Sequence, residues 1–152
     1  MRYQGKYRPS FPRKYKGDPN NVIYRSSWEY KFMKWCDLTH SIQEWGSEEI
    51  IIPYISPVDG KRHRYFPDFF IKYDDASGKK RSVVIEVKPK KQCKAPPKNP
   101  KRRTKSWAHD VQSWVINQAK WKAAEQYCAD RKYEFKIMTE DDLGISHDRR
   151  RY

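Results

Sequence analysis

Residues 83 to 91 read VVIEVKPKK, an apolar β-branched run in which Glu86 and Lys88 stand two positions apart. In a strand that spacing sends both side chains out of one face. Asp68 interrupts a second apolar run, FPDFF, with seventeen residues between it and Glu86, enough for one hairpin turn and two half-strands. Opposed positions on paired strands bring Cβ atoms to about 5 Å, so the two carboxylates can meet, and they repel each other unless a cation lies between them. A hard divalent ion such as Mg²⁺, with Mn²⁺ as a substitute, takes such oxygen ligands and keeps waters of its own. One such water can attack a phosphodiester. Lys88 is then placed to orient the water or to neutralise charge developing on the phosphorus oxygens. Glu-x-Lys alone also fits an ordinary amphipathic strand. Asp68 resists that plainer account, because a carboxylate in an apolar strand centre needs a partner.

These groups need elements to position them. SSWE at residues 26–29 has the form of a capping box and predicts a helix to about residue 39, with Trp28, Phe32, Trp35 and Cys36 as its apolar stripe. Turning about 100° per residue from Trp28 places Glu29 between Cys36 and Met33, facing inward. Glu29 is therefore either the capping partner of Ser26 or a support for the acidic pair. Three strands are expected at 48–55, 62–73 and 82–88, joined by polar turns into a meander. The periodic run from Ser106 to about residue 131 predicts a second helix, and YEFKIMT at 133–139 a last strand. The expected fold class is α/β in the mixed α+β sense: order α-β-β-β-α-β, with a central mixed sheet flanked by helices. On the second helix Gln118 falls within the apolar stripe, and with Lys120 and Lys122 it is a candidate support for the site. A hydrogen-bonded Gln and snorkelling lysines are the plainer account of that face.

The chain has 152 residues, which predicts one domain spanning 1–152. Its 33 Lys and Arg against 19 Asp and Glu give a net charge of +14, which points to a polyanionic partner, nucleic acid first. Aromatic residues make up 15% of the chain, too many for a disordered basic tail. Cys36, Cys93 and Cys128 are odd in number and form no CxxC pair, so neither a disulfide framework nor a zinc site is expected. With no apolar leader and no membrane span, a soluble cytoplasmic protein is expected. Residues 1–22 read as an irregular basic arm, 89–105 as a basic Pro-rich loop with eight Lys or Arg and four Pro, and 146–152 as a basic tail. Lys90, Lys91, Lys101, Arg102, Arg103 and Lys105 of the loop are the candidate phosphate contacts.

Pro67-Asp68, then Glu86-Val87-Lys88, behind a helical Glu29 and in this order of elements, resemble the PD-(D/E)XK nuclease superfamily, whose core is restriction-endonuclease-like. The layout of YRSSWE ahead of PDF and EVK is similar to that of its phage junction-resolving and transposon-end members. MRYQGKY, IYRSSWE, IPYISPVDGK, HRYFPDF and NQAKWKAAE resemble the head-completion nucleases of T4-like tailed phages across nearly the whole chain. The resemblance implies Mg²⁺-dependent endonuclease and exonuclease cleavage of double-stranded DNA during head completion, before head and tail join. It assigns Asp68, Glu86 and the Val87 backbone carbonyl to the metal, Lys88 to catalysis and Glu29 to their support. Phage head, portal or neck proteins are implied partners, in the host cytoplasm or on the virion. Two rivals use the same residues differently: a docking protein on a nuclease fold, and a dimeric junction-resolving nuclease.

Overall fold

The computed structural model describes residues 4–142, so the basic tail expected at 146–152 lies outside the described residues. In chain order come β1 (Gly5–Tyr7), β2 (Val22–Tyr24), α1 (Ser27–Leu38), β3 (Ile42–Ser47), β4 (Ile52–Ile55), β5 (Arg62–Tyr65), β6 (Phe69–Asp74), β7 (Lys80–Val87), α2 (Lys105–Arg131) and β8 (Glu134–Met138). The central sheet has the order β3-β6-β7-β8. Its first three strands are antiparallel, and β8 returns parallel to β7 after α2. A mixed, helix-covered sheet is therefore what forms.

Alternation along β6 and β7 divides the core. Phe69, Ile71, Val83 and Ile85 point to the α1 side, where they meet Phe32, Met33 and Cys36. Phe70 and Val84 point to the α2 side, against Trp121, Ala124 and Cys128. Among the described residues no helix is long and apolar enough to cross a membrane.

Three expectations need correcting. The sheet's edge strand is Ile42–Ser47, not 48–55: the chain leaves it at Glu48, whose φ is 55°, and Ile50 and Ile52 pack toward α2 instead. The run 62–73 is two strands, because Phe66, Pro67 and Asp68 separate β5 from β6. A proline cannot donate to a ladder. β4 and β5 pair only with each other, so the meander becomes a two-stranded ribbon beside the sheet.

The N-terminal segment is the third case. Instead of an irregular arm, Gly5–Tyr7 pairs antiparallel with Val22–Tyr24, and Tyr7 and Tyr15 are buried in the α1-side core. At Gly5 a Cβ would lie 2.6 Å from the Tyr24 hydroxyl, so a larger residue would have to displace the end of that side chain. The fully buried Asp37 clamps the segment to α1, accepting hydrogen bonds from the Tyr7 hydroxyl at 2.7 Å and from the Ser10 and Phe11 amides at 2.7 and 3.0 Å.

Candidate active site

Asp68 immediately precedes β6, not in a strand centre as expected, and Glu86 lies on β7, each one step beyond the pair Phe69↔Ile85. Both belong to the face toward α2. The Val87 amide donates to Asp68 Oδ2 at 2.7 Å, and the buried Tyr65 hydroxyl donates to Glu86 Oε1 at 2.8 Å. Lys88 Nζ lies 3.3 Å from Glu86 Oε2, and the Lys88 amide donates to Met138 O at 3.0 Å, fixing the backbone where it leaves the sheet. Glu86 is only 5% exposed.

Burial first, and then the charge of Glu86, push the Asp68 carboxyl up to about 7; the Val87 amide and Lys88 act the other way. Glu29 also raises it, which places that carboxylate within electrostatic reach. Glu29 itself is raised by burial, opposed by its hydrogen bond with Ser26. Its contacts are those of a cap: its amide donates to Ser26 Oγ at 3.2 Å, and the Ser26 hydroxyl donates to its carboxylate at 3.3 Å.

Of the groups expected on the second helix, Lys120 reaches the site. Its Nζ lies over the Tyr65 and Tyr54 rings at 5.5 and 5.9 Å, and burial, then the neighbouring Lys88, pull its pKa down while Glu86 opposes them. Gln118 and Lys122 are exposed instead. The buried positions are Asn117, Trp121, Ala124 and Cys128, so the inward face is rotated from the one expected, and Val115 lies outside it. Trp107 and Trp114 suggest a different stripe in the sequence, yet they are only half-buried. Sequence reasoning misses Tyr65 and Asn117, one resembling any core tyrosine and the other offering no spacing signal.

The basic loop carries a 3-10 turn at Lys90–Cys93 and gives up Lys105 to α2, whose N-cap is Thr104. Lys91 lines a cleft of about 660 Å³ with Lys88, between the loop and α2. Lys90 is paired with Asp141 at 3.1 Å. Lys101, Arg102 and Lys105 are exposed, and the Arg103 guanidinium lies 5.6 Å over the Trp107 ring.

Among the described residues no three His, Cys, Asp or Glu side chains gather into a metal cluster. The acidic pair is nevertheless a hard-oxygen donor set. Asp68 Oδ1 accepts no hydrogen bond among the described residues, and the pair's repulsion is only partly offset by Lys88. Such a pair fits a divalent cation.

A mixed sheet that presents Asp68 against Glu86-Val87-Lys88 at the end of two central strands defines a nuclease of the PD-(D/E)XK type. The chain belongs to the TnsA-like endonuclease N-terminal family, whose model matches residues 39–140. It is 42% identical over 147 residues to the head completion nuclease of Enterobacteria phage T4, covering 94% of this chain and 95% of that relative. No solved structure matches it. Asp68, Glu86 and Lys88 fall inside the family match, and Glu29 precedes it.

Proposed function

We propose that the protein is a divalent-metal-dependent nuclease that hydrolyses phosphodiester bonds of double-stranded DNA, trimming packaged phage DNA at head completion before the tail joins. The observation that carries this reading is the half-buried Asp68 set against the buried Glu86 beside Lys88. Head, portal or neck proteins are its proposed docking partners, in the host cytoplasm or on the virion.

Asp68, Glu86 and the Val87 carbonyl would hold Mg²⁺, or Mn²⁺ in its place. Bound there, the ion supplies Lewis acidity and a nucleophilic water at neutral pH. The chain's own groups prepare the site. Tyr65 fixes one Glu86 oxygen and the Val87 amide fixes one of Asp68, so neither carboxylate rotates freely. Lys88 offers a positive charge where negative charge develops on phosphorus oxygens. Lys120, held over two aromatic rings, supplies a second ammonium at the same edge. Glu29 adds negative charge from the start of α1.

Plasmid nicking with Mg²⁺ and with EDTA tests the reading. Nicking is expected with Mg²⁺ alone, and Asp68→Ala is expected to abolish it while DNA binding persists. Undiminished cleavage by pure Asp68→Ala protein would sink the assignment.

A further inference from the structure

The cleft beside Lys88 has walls of opposite chemistry. The chain leaving β7 contributes Lys88, Lys91 and Lys94, and α2 contributes Asp110, Trp114 and Asn117. The loop is tied to the helix where Trp107 Nε1 donates to Pro97 O at 2.7 Å, so the cleft is a built feature. Its volume of about 660 Å³ is within the range of small-ligand sites, roughly 300–1,000 Å³.

Phosphate oxygens suit the lysine wall and are repelled by Asp110 on the other. The half-buried Trp114 offers a ring for stacking. Asn117 is 9% exposed, and its side chain makes no hydrogen bond among the described residues. The buried side-chain polar atoms left without a partner among the described residues are those of Trp45, Asp74 and Trp121, so the Asn117 amide is open to the cleft. It can both donate and accept, as the edge of a nucleobase requires. In a duplex the Watson–Crick edge is already taken, whereas an unpaired base offers both that edge and its faces.

We propose that the cleft takes one unpaired nucleotide, its base stacked on Trp114 and paired with Asn117 and Asp110, its phosphate held by Lys91 and Lys94. The protein therefore prefers DNA ends or flaps that carry a single-stranded overhang. This rests on the reading of Asp68, Glu86 and Lys88 as the cutting site, since Lys88 both lines the cleft and pairs with Glu86, which sets the next phosphate beside the acidic pair.

Fluorescence anisotropy of the full chain in EDTA tests it, using a short labelled duplex with blunt ends and the same duplex with 5′ or 3′ thymidine overhangs. One overhang is expected to bind roughly tenfold more tightly than the blunt end, the scale of a single base stacked on an aromatic ring. Trp114→Ala is expected to erase that preference without changing blunt-end affinity, Trp114→Phe to keep most of it, and Asn117→Ala to reduce it. Equal wild-type affinity for blunt and overhung duplexes overturns the proposal, and so does a preference untouched in folded Trp114→Ala and Asn117→Ala proteins. The wild-type comparison needs no variant, so it decides the matter even where a variant fails to fold. Binding in EDTA is also independent of cleavage. Plasmid nicking without overhang preference defeats the cleft alone, and overhang preference without metal-dependent nicking defeats the nuclease reading alone.

Discussion

Asp68 shows how one side chain can couple site chemistry to stability. Its carboxyl is raised to about 7 in the fold by burial and by Glu86, above its unfolded value near 4. A raised carboxyl binds a proton in the native state that the unfolded chain has lost. Its stabilisation is therefore complete below about pH 4 and disappears as pH rises through about 7. Metal-free protein is expected to melt at falling temperature between pH 5 and 8, with a slope of at most about 1.4 kcal/mol per pH unit from this one proton. Asp68→Asn should flatten that slope, and added Mg²⁺ should restore the loss at high pH. Parallel melting curves for Asp68→Asn and wild type across this range would remove the repulsive pair. Glu29 poses a different question, because its observed hydrogen bonds are local ones to the N-cap Ser26 side chain, its amide donating to the hydroxyl and its carboxylate accepting from it, and a Gln side chain can accept the second nearly as well. Support of the site instead requires the charge that Asp68 senses. Glu29→Gln is expected to keep its melting temperature and lose about a hundredfold in nicking rate, roughly 2.7 kcal/mol of barrier. Wild-type turnover would return Glu29 to the cap alone. Asp68, Glu86 and Lys88 are legible in the sequence because each breaks an apolar strand pattern. Tyr65 is not, since its role depends on where a separate ribbon brings its hydroxyl.

At the scale of elements, local signals predict well and long-range pairing poorly. Ser26 caps α1 where SSWE places the start, and the β6–β7 hairpin and the final parallel strand form near their expected positions. The edge strand Ile42–Ser47 is hard to see because Gln43, Glu44 and Gly46 dilute its pattern, while the more β-branched 50–52 stretch serves the α2-side core. Trp35 belongs to the expected α1 stripe but is 50% exposed, and Asp37 is buried in the N-terminal clamp. That clamp joins positions far apart in sequence, which no local pattern encodes. The end of α2 carries a simpler signal. Lys132 sits at φ 60° and ψ 34°, the left-handed C-cap conformation, where a side chain costs about 1 kcal/mol and glycine fits without strain. The unfolded-chain entropy of glycine cancels part of that gain. Lys132→Gly is expected to raise stability by about 0.5 kcal/mol and the melting temperature by about 1–2 °C, with nicking unchanged. A lower melting temperature would show that the Lys132 side chain contributes more than its backbone costs.

For the whole molecule, charge is the property most open to reading from composition, and its placement the least. A net charge of +14 indicates a polyanionic partner, and the sequence itself sets the basic segment directly after β7, but only the fold puts α2 behind it. There the basic residues have unequal roles. Lys90 is engaged by Asp141, Lys91 lines the cleft, and Lys101 and Arg102 stand exposed beyond the Pro97 tie. If the exposed group holds the phosphate backbone, each contact releases counterions, and the affinity falls with salt by a slope of about 0.9 for every phosphate neutralised. Replacing Lys101, Arg102 and Arg103 by Gln is expected to weaken binding to all duplex sequences alike and to flatten the slope by about 0.9 for each phosphate no longer neutralised. Arg103 also lies over Trp107, so the triple variant should be compared with Lys101→Gln/Arg102→Gln, which leaves that stacking in place. The double variant is expected to show a smaller flattening with unchanged cleavage at low salt, where residual charge still holds the duplex. A slope that stays at the wild-type value in both variants assigns this segment to a protein partner and moves the DNA path to another face of the molecule.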